Sequence, residues 1–321
     1  NFGLSELEGL KNSRIFNPED NSWRKTGDMN FGRWYPSALS LANGNVLVAS
    51  GVTKLVKPVY LTRPETSGRN VTVTETYDTS CGEWTDNGPL AERSLPLYPR
   101  LHLLPNGHVF YNGGGQAFNP FGQSYDQALW NIVAAYDPSS KTWADLGFAG
   151  LPLHLNEAGI SDLASFLNVT NAQSDTSLNG LLTGLTEEFI ANPFDALAPV
   201  IDDPYRLADV QSLLGAGFRG STFSMMLPLT PDSEGKYSKA EFLTAGGVLT
   251  GVAATSPGLY VGTNLGRIDS VTIDGEKMLY DSRSTGSLTQ GRWYGTGVLL
   301  PTGEVLVVSG ADRDEVVLPG S

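Results

Sequence analysis

The sequence is poor in the side chains that build thiolate or imidazole sites. Its 321 residues include one cysteine, Cys81, and three histidines, His102, His108 and His154. A single cysteine forms neither a disulfide within the chain nor a thiolate zinc cluster. Three histidines are too few for a histidine-rich metal centre built from this chain alone. We therefore exclude a disulfide scaffold and a structural zinc site.

Positive charge and long apolar runs are also scarce. The chain has 21 Lys and Arg against 34 Asp and Glu, for a formal net charge of −13. An acidic chain has no sequence-independent attraction for nucleic acid or for an anionic membrane surface. No apolar run reaches the roughly 20 residues that cross a bilayer. These absences exclude a nucleic-acid-binding protein and favour a globular chain without a membrane span.

Glycine is abundant, and it marks an internal repeat. Residues 32–51, GRWYPSALSLANGNVLVASG, recur as residues 291–310, GRWYGTGVLLPTGEVLVVSG, with weaker copies at 98–114 and 218–247. Each of the three clearer copies has an apolar strand, a two-residue turn such as Asn43-Gly44, a second apolar strand and a closing glycine. This pattern predicts a β-hairpin, because the turn residues are those that tight hairpins need.

A second unit combines an aromatic residue, a turn and a tryptophan. It occurs three times, at Phe16 and Trp23, at Tyr77 and Trp84, and at Tyr136 and Trp143. One hairpin of each kind makes a four-stranded antiparallel sheet, which is the blade of a β-propeller. The closing glycines and spaced aromatics are typical of kelch-type blades, and a β-sandwich is the alternative.

The spacing of the closing glycines predicts the domain organisation. Gly51 and Gly115 are 64 residues apart, and Gly247 and Gly310 are 63 apart, but Gly115 and Gly247 are 132 apart. One interval therefore holds about 68 extra residues, in a region without strand patterning. We predict propeller blades in 1–152 and 218–321, about four to five in all, and a partly helical insertion at 153–217.

Three segments resemble one family. Residues 13–51, the stretch LYPRLHLLPNGHVFYNGG at 97–114 and residues 291–320 are similar to the propeller of the galactose oxidase and glyoxal oxidase family of copper radical oxidases. The resemblance implies an all-β, kelch-type propeller that has seven blades when complete. It also implies copper, and the oxidation of an alcohol or aldehyde by O2 to give H2O2.

The resemblance assigns the central role to Tyr35. In the family, the tyrosine at this position is linked to a cysteine, binds copper and carries a radical. Tyr294 is the nearest candidate for the second copper tyrosine, but Gly295 follows it where the family has a histidine, and no cysteine precedes Cys81. The family's C-terminal sandwich domain has no counterpart either. We therefore expect the missing ligands and blades to come from further segments of the same protein or from another chain.

The neighbours of Tyr35 have two interpretations each. Trp34 and Arg33 are candidate contacts for a small alcohol, aldehyde or carbohydrate. Alternatively, Trp34 points away from Tyr35 into the packing between blades, as strand alternation predicts, and Arg33 connects one blade to the next.

A second function class stays open at the level of sequence. It is a non-catalytic kelch propeller that binds a glycan or protein or serves as extracellular structure. Two Asn-Val-Thr triplets predict glycosylation at Asn70 and Asn168, and with the acidic charge they favour a secreted or cell-envelope protein.

Overall fold

The computed structural model describes residues 8–54, 69–115, 132–148, 219–249 and 264–311. The predicted insertion at 153–217, which includes His154 and Asn168, lies outside these ranges. The described residues form strands and one 3₁₀ turn at Pro89–Ala91. The strands, in chain order, are β1 (Arg14–Asn17), β2 (Ser22–Lys25), β3 (Ser37–Ser40), β4 (Val46–Ala49), β5 (Glu75–Asp78), β6 (Glu83–Asp86), β7 (Pro99–Leu103), β8 (Val109–Gly114), β9 (Ile132–Asp137), β10 (Thr142–Phe148), β11 (Arg219–Gly220), β12 (Phe223–Met226), β13 (Lys239–Ala245), β14 (Val248–Leu249), β15 (Gly266–Asp274), β16 (Lys277–Thr285), β17 (Thr296–Leu299) and β18 (Val305–Val308).

Three four-stranded sheets contain most of these strands. Sheet A has the order β3-β4-β5-β6, sheet B the order β7-β8-β9-β10, and sheet C the order β12-β13-β15-β16. The pairs β1–β2, β11–β14 and β17–β18 form two-stranded sheets. Every pairing is antiparallel. The predicted all-β class is therefore confirmed for the described part of the chain.

The glycine-containing turns close the hairpins β3–β4, β7–β8 and β17–β18 as the repeat predicts, and we call these the inner hairpins, and their first strands, with β12, the inner strands. In the β3–β4 turn, the Leu41 N–H donates to the Asn45 carbonyl at 2.7 Å, and Gly44 has φ of 85°. Gly107 and Gly303 occupy the same place in the β7–β8 and β17–β18 turns, with φ of 87° and 84°. Only glycine adopts this left-handed conformation without steric cost, which explains why the motif recurs.

The aromatic residue and tryptophan of the second unit are cross-strand partners. Tyr77 pairs with Trp84 across β5 and β6, and their ring centroids lie 5.2 Å apart. The same contact occurs at 5.1 Å between Phe16 and Trp23. Tilted aromatic pairs of this kind stabilise adjacent strands beyond the area they bury.

The core lies between successive sheets. Sheets B and C meet through one set of buried side chains, which includes Phe110 and Val133 from sheet B and Phe242 and Tyr280 from sheet C. Sheets A and B meet through another set, which includes Leu47 and Val109. The first strands of the sheets are also in contact in chain order, β3 with β7, β7 with β12, and β12 with β17. This succession brings the residues that precede these strands together.

Candidate functional site: a tyrosine cluster at the starts of the inner strands

Three tyrosines occupy equivalent positions just before the first strand of a repeat. Tyr35 precedes β3, Tyr98 precedes β7 and Tyr294 precedes β17, with φ values of 63°, 49° and 57°. Ser221 has the same position before β12, with φ of 57°. Positive φ is uncommon for residues other than glycine. Its recurrence in four repeats indicates that the packing of the strands imposes it.

Hydrogen bonds between repeats hold these positions. The Tyr98 N–H donates to the Tyr35 carbonyl at 3.0 Å, and the Tyr294 N–H donates to the Ser221 carbonyl at 3.0 Å. Between sheets B and C, the Arg100 guanidinium donates through Nε and Nη2 to the Thr222 carbonyl at 2.9 and 2.5 Å. These bonds fix the relative placement of the inner strands and of the tyrosines that precede them.

The Tyr35 ring lies in a stack. Its centroid is 3.7 Å from the Trp34 ring at an interplanar angle of 15°, and 4.6 Å from the Tyr98 ring at 24°. The expectation that Trp34 points away from Tyr35 is therefore wrong. Strand alternation does not apply, because β3 begins only at Ser37 and the left-handed backbone of Tyr35 turns its side chain towards its neighbour.

The phenols influence one another. Burial raises the pKa of Tyr294 to about 12, and the nearby phenols of Tyr35 and Tyr98 add to that rise. Burial, with Tyr35 adding, also raises the pKa of Tyr98. Tyr98 and Tyr294 still expose 38% and 40% of their surface. The cluster therefore offers protonated, partly exposed phenols at neutral pH.

Arg100 brings a positive charge to this cluster. Its guanidinium donates to a backbone carbonyl, and within the described ranges it has no carboxylate in ion-pair distance. Burial lowers its pKa, and the Tyr294 phenol opposes that effect. Three other well-buried arginines each pair with a carboxylate, in the pairs Arg33–Glu75, Arg93–Asp145 and Arg267–Asp269. Arg100 is thus a cation that an oxygen-rich ligand could approach.

Arg33 is a structural side chain by its contacts. It is 5% exposed and donates twice to the buried carboxylate of Glu75, at 3.2 Å from Nε and 2.8 Å from Nη2. It also donates to the carbonyls of Ser50 and Val73, each at 2.7 Å. Burial lowers the pKa of Arg33, and Glu75 opposes that change. These contacts give Arg33 a structural role, but its partners all lie in the segments around sheet A, so within the described residues it does not connect one sheet to the next.

Neither Cys81 nor His102 lies in the tyrosine stack. Cys81 is exposed in the turn between β5 and β6, whereas Tyr35 precedes β3 at the opposite edge of sheet A. The His102 ring lies 4.6 Å from the Phe242 ring, and its Nε2 is 3.0 Å from Ser224 Oγ. Burial between sheets B and C lowers the pKa of His102 to about 4. It is a neutral packing residue at physiological pH.

The donor set around Tyr35 does not fit a copper ion by itself. Among the described residues, no group of three His, Cys, Asp or Glu side chains is arranged to hold a metal. The groups at the cluster are phenols, two of them with raised pKa values, and the guanidinium of Arg100. Cu(II) favours imidazole nitrogens and deprotonated ligands in a tetragonal arrangement. A copper site at Tyr35 would need ligands from outside the described ranges.

Asn70 is buried. The residue is 3% exposed. Its Nδ2, the atom that would carry a glycan, donates to the Leu95 carbonyl at 2.7 Å. Glycosylation would require this bond to break and the nitrogen to reach solvent.

Within the described residues, no helix has the length and apolar character needed to cross a membrane.

Comparison with known proteins gives the fold class. The sequence matches no protein-family model and no curated protein sequence. The structure is similar to that of a fungal alcohol oxidase of the AA5 family determined in complex with copper, with a TM-score of 0.50 and 14% sequence identity. The match covers 96% of this chain and 44% of that one, so the chain spans less than half the length of this neighbour. At this identity the similarity concerns the fold, an all-β arrangement of antiparallel sheets.

Tyr98 and Arg100 are the residues of the cluster that the sequence patterns did not single out. A signal was present, because the Tyr-Pro pair at 98–99 repeats the Tyr-Pro pair at 35–36. Aligning the repeats on their tyrosines as well as their glycines would have placed Tyr98 beside Tyr35.

Proposed function

We propose that the chain forms blades of a kelch-type β-propeller from a secreted or cell-envelope oxidase, which converts an alcohol or aldehyde with O2 and releases H2O2. Tyr35 is the central residue of its site. One observation carries the proposal: the Tyr35 ring is stacked with Trp34 and Tyr98 where the inner strands begin, in a fold similar to that of a copper alcohol oxidase.

The arrangement of sheets supports blades. Three four-stranded sheets and the pairs β1–β2 and β17–β18 carry the repeat, and their first strands pack in succession. The pair β17–β18 has the inner hairpin of a blade, and β1–β2 has the outer hairpin. We propose that seven blades form the ring and that strands from the same protein or from another chain complete these pairs, because open edges are rare in stable sheets.

The copper of such an enzyme would need ligands beyond the described residues. The role of the described side chains is to bind and position the substrate. Arg100 donates N–H groups to a substrate oxygen, and the exposed faces of Tyr98 and Tyr294 pack against its carbon skeleton. Trp34 covers the Tyr35 ring and limits contact with water. Arg33 supports this site through its buried hydrogen bonds to Glu75 and to the Ser50 carbonyl and does not contact the substrate.

Peroxide formation tests the proposal. The protein, together with the segments or partner chain that complete the ring, is loaded with Cu(II), its bound copper is measured, and H2O2 is followed with a panel of primary alcohols, aldehydes and sugars. We expect peroxide from the unmodified protein and a loss of at least about 100-fold in Tyr35→Phe, because removal of a residue that acts directly in the chemistry lowers kcat by this factor or more. Tyr237→Phe, at an exposed tyrosine, is the matched control. Copper binding without peroxide, or equal rates in both variants, would contradict the proposal.

A second candidate is a non-catalytic propeller that binds a glycan. The observation that favours it is the combination of exposed aromatic rings, those of Tyr98 and Tyr294, with the Arg100 guanidinium. Among the described residues, this guanidinium has no carboxylate partner and no group of side chains is arranged to hold a metal. Aromatic faces stack on sugars, and arginine donates to their hydroxyl groups. Glycan binding that is lost in Tyr98→Ala, together with no peroxide under any condition, would select this candidate.

A further inference from the structure

The rings of Tyr35 and Tyr98 form a preorganised pair of phenols. Their centroids are 4.6 Å apart at an interplanar angle of 24°, and the Tyr98 N–H is bonded to the Tyr35 carbonyl at 3.0 Å. Both residues have positive φ and precede the first strands, β3 and β7, of neighbouring sheets. The fold therefore holds two reactive rings in contact, and reactions between groups held in this way are strongly accelerated.

Solvent reaches one end of this pair. Tyr98 is 38% exposed, whereas Tyr35 is half-buried and is covered by Trp34 at 3.7 Å. A small oxidant in solution thus meets Tyr98 first. A tyrosine phenol is protonated at neutral pH, and burial raises the pKa of Tyr98 above its ordinary value, so its oxidation must release a proton as well as an electron. Water at the exposed edge accepts that proton.

We propose that Tyr35 and Tyr98 are an oxidative cross-linking site, at which a strong one-electron oxidant joins the two rings into a dityrosine. Each phenol loses one electron and its hydroxyl proton. The two resulting radicals form a carbon–carbon bond between ring positions next to the oxygens, and the hydrogens displaced there move to the oxygens and restore both phenols. Two hydrogen atoms are lost in total: two equivalents of the one-electron oxidant accept the two electrons, and water accepts the two protons.

The bond would connect two sheets at their inner strands. It would link the Tyr35 ring covalently to the Tyr98 ring, which precedes sheet B. Cys81 cannot form such a link with Tyr35, because it lies in the β5–β6 turn at the opposite edge of sheet A. The inference goes beyond the proposed function and does not depend on it, because it rests on ring geometry and needs neither bound copper nor a substrate.

Photo-oxidation followed by peptide mapping tests the cross-link. The purified protein is illuminated with ruthenium(II) tris-bipyridyl and persulfate, in which each persulfate accepts two electrons and becomes two sulfates. Trypsin cleaves after Arg33, Lys54, Arg93 and Arg100, so the two tyrosines lie in peptides 34–54 and 94–100. We expect these peptides joined, two hydrogens lighter than their sum, together with dityrosine fluorescence.

Three controls make the result decisive. Tyr98→Phe keeps the ring and the backbone hydrogen bond but lacks the hydroxyl, so the linked peptide disappears. Tyr237→Phe, which removes a tyrosine that is 49% exposed, leaves its yield unchanged. Unfolding in urea before illumination lowers the yield by at least about tenfold, because the rings lose their fixed proximity. The proposal is overturned if the linked peptide is absent while Tyr237 is oxidised, or if its yield persists in urea or in Tyr98→Phe.

Discussion

The Tyr98 N–H donates to the carbonyl of Tyr35 at 3.0 Å, and the same bond recurs between Tyr294 and Ser221. In both places the bond joins residues with positive φ at the starts of neighbouring inner strands. Left-handed backbone costs a residue with a Cβ on the order of 1 kcal/mol or more. The inter-repeat bond and the ring stacking offset this cost, and as a result they also place the aromatic rings of the candidate site.

Removal of the Arg33 side chain should destabilise the protein strongly. Arg33→Met leaves the carboxylate of Glu75, which is 0% exposed, without its cation. A broken buried ion pair costs about 3–5 kcal/mol in the free energy of unfolding, measured by urea denaturation. The matched control is Lys25→Met, which removes an exposed ion pair to Asp28 and should cost far less, because solvent screens an exposed pair. Equal losses in the two variants would contradict the structural role given to Arg33.

The hairpin turns provide a test of backbone conformation without a packing change. An alanine Cβ at Gly44 would meet nothing within 4 Å, but the residue has φ of 85°. Gly44→Ala should therefore lower the free energy of unfolding by about 1–2 kcal/mol through backbone strain alone. A Cβ at Gly286 would also lie in open space, and φ there is not in the left-handed region, so Gly286→Ala should stay within about 0.5 kcal/mol. A neutral Gly44→Ala would show that the turn tolerates another conformation.

These turns were among the features that the sequence could predict. Asn-Gly and Thr-Gly pairs between apolar runs specify hairpins locally, and cross-strand partners such as Tyr77 and Trp84 recur at fixed spacing. The tyrosine cluster could not be predicted in the same way. Tyrosine has no preference for left-handed backbone, and the stacking of Tyr35 on Tyr98 arises only when two sheets pack side by side. Likewise, the buried partner of Arg33 lies 42 residues away, a distance that no local pattern encodes.

The half-buried His102, whose ring packs against Phe242, predicts a pH dependence of stability. Burial, and the nearby charge of Arg100, lower its pKa to about 4, although Asn112 and Asp269 oppose this change. The unfolded imidazole takes up a proton near pH 6.5, whereas the folded one resists until about pH 4. The contribution of His102 to stability is therefore present above pH 6.5 and is lost as the pH falls through this window.

NMR titration of the imidazole measures the pKa of His102 directly. In urea unfolding between about pH 7 and pH 4, His102→Phe should lose less stability on acidification than the unmodified protein, because the ring still packs on Phe242 but no longer titrates. His108→Phe is the matched control. An NMR pKa near 6.5 for His102 would contradict the burial of its ring between the sheets.

Arg100 should behave in the opposite way to Arg33, which separates a functional arginine from a structural one. Because no carboxylate pairs with Arg100 among the described residues, Arg100→Met removes a partly desolvated cation and leaves no buried anion behind. Its loss should lower the free energy of unfolding by no more than about 1.5–3 kcal/mol, the worth of a hydrogen bond from a charged donor to the Thr222 carbonyl and less than the loss expected for Arg33. If Arg100 binds a substrate or glycan oxygen, KM or Kd should rise about 10–100-fold, as expected for a hydrogen bond from a charged donor. Arg283→Met, at a side chain that is 61% exposed, should change neither quantity. A large loss of stability with unchanged binding in Arg100→Met would assign the residue to the packing of sheets B and C instead.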